Sequence, residues 1–151
     1  MKRLILFLFL SAYGLLYAMD IKSTLKVYNK LFSILVPNKQ TVHVYVDDPV
    51  YREIFSKADN IAFARDIGEA DFVLVTDPSI LRQFQSWKQT HPHTSAILFA
   101  TKYSLLEANK DVVGALYWRK GRPQLLFLLP RLKAHHIRLP DEFSNYAVPS
   151  L

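Results

Sequence analysis

VHVYVDDPVYREIF (Val42–Phe55) and DFVLVTDPSILRQF (Asp71–Phe84) follow one plan. Each runs from a short apolar segment into Asp-Pro, then into apolar residues at helical spacing. The leading segment reads as a strand. In the second copy FVLV is apolar at every position, as expected of a strand covered on both faces. Asp suits the helix cap, and Pro suits the first helical position because no intrahelical partner awaits its N–H. Val50, Ile54 and Phe55 give the first helix an apolar side; Ile80, Leu81, Phe84 and Trp87 do so for the second. Two such units predict a parallel α/β sheet with helices on both faces.

Working outward, Asp20–Val36 carries Ile21, Leu25, Tyr28, Leu31, Phe32 and Leu35 at helical spacing, with Lys22, Lys26 and Lys30 on another face. Pro37 and Asn38 end that helix. Ile61–Ala64 predicts a short strand, Thr94–Ala100 contains a buried one, and Lys102–Ala108 predicts a short helix. VVGALYWRKGRPQLLFLL (Val112–Leu129) predicts two strands closed by a basic turn at Lys120, Gly121 and Arg122. Gly121 adopts a positive φ at little steric cost, and Pro123 favours an edge because it has no N–H for a ladder. Pro130–His136 predicts a helical turn or two, and Asp141–Ala147 a last short helix. The predicted class is α/β: a single three-layer domain, with a mostly parallel sheet, helices on both faces and a C-terminal antiparallel hairpin.

The chain of 151 residues is long enough for one domain with its own core. Lys2 and Arg3 followed by the apolar run Leu4–Leu16 have the layout of a secretory signal peptide. The run is shorter than the about 20 residues a spanning helix needs. Residues 1–18 are therefore assigned to the leader and 19–151 to the domain, free in the periplasm after cleavage. The chain has no Cys, so disulfides take no part in holding it together. Residues 19–111 hold 11 Lys/Arg and 11 Asp/Glu, whereas 112–151 hold 6 and 2. The excess positive charge of the domain lies in its C-terminal third. In an exported protein this points away from nucleic acid and toward anionic headgroups or an acidic protein face.

The hairpin is the candidate contact surface, with Tyr117 or Trp118 as apolar anchor and Arg119, Lys120 and Arg122 as cationic rim. Asp48, Asp77 and Thr101, where strands give way to helices, form the alternative: a small-ligand crevice. Both Asp residues also read as helix caps. Gly14, Gly68, Gly114 and Gly121 make no phosphate-binding loop, and no Ser sits in a nucleophile elbow. His91, His93, His135 and His136 lack acidic or thiol neighbours in sequence, so no metal site is expected. No catalytic set and no cofactor are expected either.

The chain resembles the YfiR-like family of small exported bacterial proteins from about Leu25 to Ala147. The resemblance rests on Tyr28, Asn29 and Pro37 in the first helix, on VYVDDPVYREIF, on FVLV, and on the C-terminal succession of Gly114, the Lys120–Arg122 turn, Leu125–Leu128 and Ile137-Arg138-Leu139. Leu35 and Val36 stand where the family carries an acid and a Trp. Leu128 replaces a polar residue, His136 a Gly, and the hairpin is about two residues shorter. The resemblance implies a non-catalytic periplasmic regulator that restrains an inner-membrane signalling protein, such as a diguanylate cyclase of c-di-GMP signalling, by binding its periplasmic part. Homodimerisation is left open. The alternative is a periplasmic small-ligand-binding domain related to solute-binding proteins. Export is directly testable: N-terminal sequencing of the periplasmic fraction is expected to begin near Met19 or Asp20. Recovery solely as a full-length membrane species would contradict cleavage.

Overall fold

The computed structural model describes residues 21–151, so the leader assigned to 1–18 lies outside the described residues. A first helix, α1, occupies 21–35 and gives way at Pro37 and Asn38, the latter in a left-handed conformation (φ 66°). There follow β1 (Val42–Tyr45), α2 (Pro49–Ser56), β2 (Ile61–Phe63), a 3-10 turn at Ile67–Glu69, β3 (Phe72–Val75), α3 (Pro78–Thr90), β4 (Ile97–Ala100) and α4 (Tyr103–Ala108). The C-terminal part contains β5 (Val112–Arg119), β6 (Arg122–Leu128), α5 (Leu129–Ala134), a 3-10 segment Asp141–Tyr146 and β7 (Ala147–Val148).

Both repeats fold as strand, cap and helix. Their strands lie side by side in a seven-stranded sheet of order β2-β1-β3-β4-β5-β6-β7. β2, β1, β3, β4 and β5 are parallel; β6 runs antiparallel to β5, and β7 parallel to β6. The molecule is thus a single α/β domain with a mixed, mostly parallel sheet. Two expectations change at the C-terminus. Asp141–Tyr146 is a 3-10 segment rather than an α-helix, and the next two residues add β7, which the sequence reading did not foresee. Two residues are too few to show an alternating pattern.

The sheet divides the core into two layers. One face carries Val44, Phe72, Leu74, Phe99, Val113 and Phe127 beneath Tyr28, Leu31 and Phe32 of α1 and Ile54 and Phe55 of α2. The other carries Val73, Val75, Leu98, Ala100, Val112 and Ala115 beneath α3 and α4. Phe32 and Phe72 meet edge-on at 4.9 Å, and Tyr28 and Phe55 at 5.1 Å, geometries that suit the ring quadrupole. The Tyr28 hydroxyl is buried, and burial together with nearby Tyr51 raises its pKa well above the ordinary phenol value.

Two features fix the hairpin on this scaffold. The register between β4 and β5 shifts by one residue, so Leu98 faces Val112 while Phe99 faces Gly114. Gly114 is where β5 presses closest on its neighbours: a Cβ there would stand 2.6 Å from the Leu126 carbonyl oxygen and 3.0 Å from the Phe99 and Phe127 rings. Arg131 of α5 reaches back to the start of β5 and the chain before it. Its Nη1 donates to the carbonyls of Leu106 (2.9 Å), Asn109 (2.9 Å) and Val112 (2.8 Å). Gly114→Ala is expected to destabilise the domain by about 1–3 kcal/mol in urea denaturation, the range for overpacking. An unchanged midpoint would contradict the close approach.

Candidate functional site

β4 ends at Ala100, which pairs with Ala115, whereas β5 continues to Arg119. β7 pairs only with Phe127 and Leu128 on the far side of β6. Leu116–Arg119 and Arg122–Leu125 therefore form a two-stranded ribbon that runs past the carboxyl edge of the parallel sheet. At about 3.3 Å per residue its four-residue arm projects about 13 Å. The turn has two residues, Lys120 (φ 51°) and Gly121 (φ 74°), and Arg122 belongs to β6. Positive φ at both positions is the mark of a type I′ hairpin turn, whose twist matches the strands. Trp118 pairs with Pro123 one step from the turn. Next to a two-residue turn this is the non-hydrogen-bonded pair, so the donor Pro lacks would have pointed to the open edge.

The two faces of the ribbon differ. Trp118 is 60% exposed and lies beside a groove of about 280 Å³ that it shares with Pro123, Leu116, Val27 and Thr24 of α1 and Val50 of α2. Val50 is itself 49% exposed. Tyr117 points to the opposite face, half-buried, with its ring 5.6 Å from that of Tyr103. There a cleft of about 810 Å³ is lined by Thr101, Lys102, Tyr103, Ser104, Tyr117, Trp118 and Arg119. Of the two aromatic anchors the sequence offered, Trp118 is the one presented to solvent.

Thr101 thus lies with the hairpin residues. Asp48 and Asp77 follow the adjacent strands β1 and β3 and are engaged as caps. Asp48 Oδ1 accepts from the amides of Val50 (2.9 Å) and Tyr51 (3.2 Å). Asp77 Oδ1 accepts from the Ser79 amide (2.7 Å) and, at very short range, from the Ser79 hydroxyl. The Ser79 hydroxyl, the Ser79 and Ile80 amides and nearby Lys102 hold the Asp77 carboxyl below its ordinary pKa, against partial desolvation. Among the described residues no group of three or more His, Cys, Asp or Glu is placed to hold a metal.

The C-terminal cations separate into distinct groups. Arg119, Lys120 and Arg122 stand at the ribbon tip. Arg131 is committed to three carbonyls, a role that its basic neighbours in sequence concealed. Arg138 lines a cleft of about 760 Å³ at the amino end of the sheet with His135, His136 and Lys39. Desolvation is the main cause that lowers the His135 pKa. Sequence reasoning also missed the Lys88–Asp111 ion pair (2.7 Å) and the hub at Asp71. That carboxylate accepts from the His43 amide (3.0 Å) and lies 3.5 Å from Lys39. Residues this far apart in sequence leave no local pattern to read.

No family model matches the sequence, and no curated protein matches it. Among solved structures, a conserved domain protein from Vibrio cholerae O1 biovar eltor superposes with a TM-score of 0.55 at 10% identity, covering 82% of this chain. The chain spans 59% of that protein's length. At such identity the likeness concerns the fold alone.

The caps supply a stability test. Asp77→Ala is expected to cost about 0.5–2 kcal/mol and Asp77→Asn much less, since Asn also caps well. Because the folded carboxyl titrates below its unfolded value, its contribution is complete above the unfolded pKa and is lost as pH falls through the folded one. The Ala deficit in chemical denaturation should therefore be largest at neutral pH and shrink in acid. A deficit independent of pH would contradict capping by the carboxylate.

Proposed function

We propose that this chain is a non-catalytic periplasmic binding module that restrains or tunes an inner-membrane signalling protein, such as a diguanylate cyclase, by contact with its periplasmic part. The observation that carries the reading is the projecting ribbon, which holds Trp118 in solvent one rung from Arg119 and Arg122, with Lys120 in the turn. Aromatic and Arg side chains contribute most to interface energies, while Lys at a rim steers approach. The leader-like start and the resemblance to YfiR-like proteins point the same way. A second reading, a small-ligand-binding domain, is favoured by the cleft of about 810 Å³ between Thr101 and Arg119.

The reading predicts that Trp118→Ala weakens affinity for the partner's periplasmic segment by about 30-fold or more, as for a hot-spot residue. Arg119→Glu with Arg122→Glu should weaken it with a flatter salt dependence, since screening then has less attraction to remove. Both variants are expected to keep the wild-type melting temperature, because the altered side chains lie at the exposed tip. Wild-type affinity at low and high salt in the folded variants would remove the ribbon from the mechanism.

A further inference from the structure

We infer that the ribbon tip also docks on an anionic lipid surface. The inference rests on the reading above only for localisation. Two placements carry it. The first is the tip itself: Trp118 at 60% exposure stands one rung from the Arg119–Arg122 pair, whose side chains leave by the opposite face of the ribbon, with Lys120 in the turn and no carboxylate between Asp111 and Asp141. Trp is at home in the headgroup region, where one part of the ring is apolar and the N–H is wet. Cations at the same tip meet the headgroup phosphates.

The second is the tier below the tip. Lys102 and Tyr103, the latter 37% exposed, line the same cleft as Tyr117 and Arg119. They add a fourth cation and a second aromatic facing the same end. The acids of this edge, Asp47, Asp48, Asp66 and Asp77, follow β1, β2 and β3. Asp48 and Asp77 are turned to helix amides. β3 lies two strands from β5, β1 three and β2 four, at about 4.8 Å each. The ribbon's projection sets the tip beyond them, so a planar anionic surface meets the cations first.

A planar surface needs no shaped pocket on the protein, only an aromatic and a cluster of cations that reach it together.

The test is co-sedimentation of the purified protein with vesicles of phosphatidylcholine alone or phosphatidylcholine containing phosphatidylglycerol, without any protein partner. Binding is expected to the phosphatidylglycerol vesicles, to fall with salt, and to be accompanied by a blue shift of Trp emission. Trp118→Ala should abolish that shift, since Trp87, the other Trp, stacks on His91 within the fold. Arg119→Glu with Arg122→Glu should weaken binding by at least about 30-fold, from about tenfold per 1.4 kcal/mol and about 1 kcal/mol per cation. No binding by the folded wild type, equal binding to both vesicles, or undiminished binding by the double variant would each overturn the inference. So would binding to the partner's segment with none to vesicles, a result that leaves the proposed function standing. Vesicle binding with no affinity for that segment has the opposite meaning.

Discussion

Arg131 grips the chain on the far side of the hairpin from its own helix. It stands in α5, just after β6, and donates to carbonyls of Leu106 and Asn109, just before β5, and of Val112, the first residue of β5. The two ends of the hairpin are thus held to each other by one guanidinium. Nη1 carries two N–H groups, so three carbonyls share two charged donors, and each full hydrogen bond from such a donor is worth about 1.5–3 kcal/mol. Burial lowers the Arg131 pKa while Asp111 opposes that shift. Asp111 in turn takes Lys88 of α3, so the α3 and α4 layer, the base of β5 and α5 are joined through two cations and one carboxylate.

With its base held this way, β5 can outrun its neighbour. The close approach at Gly114 packs the inner half of the hairpin against Phe99 and Phe127, deep in the sheet. The outer half has no strand beside it and carries the exposed aromatic and the cations. The division is one of roles within a single hairpin: β5 supplies a fully buried segment at Val112–Ala115 and a half-exposed to exposed one at Leu116–Arg119. Apolar burial on the first segment stabilises the presentation of the second. Lys120 and Gly121, both at positive φ, close the tip so tightly that Arg119 and Arg122 face one another across the last rung. Two like charges directly opposite are unfavourable in a sheet. Their retention at the most exposed rung fits a surface that meets an opposite charge.

Most of the scaffold was legible because local and global signals agree. Asp-Pro before a periodic apolar run fixed the starts of α2 and α3, and the unbroken FVLV marked a strand buried on both faces. The hairpin was legible from Gly121 and its flanking Val, Leu and aromatic residues. β7 was not, because two residues carry no periodicity and owe their strand state to β6. Nor was the division of labour among the cations. Composition placed the charge excess in the C-terminal third, but only the three-dimensional arrangement separates Arg131 in its carbonyl cage from Arg119 and Arg122 at the tip. Trp118 and Tyr117 are adjacent and similar in sequence. Strand alternation alone puts them on opposite faces, and the neighbouring Tyr103 decides which is covered.

The central claim is that the molecule meets the membrane or its proteins through the ribbon tip. Site-specific photo-crosslinking in intact cells tests it most directly. A photoreactive residue would replace Trp118 in one variant and His93, exposed in the α3–β4 loop, in another. The account predicts crosslinks from position 118 to an inner-membrane protein or its lipids, and none from position 93. Crosslinks from position 93 to an inner-membrane component, with none from position 118, would contradict it.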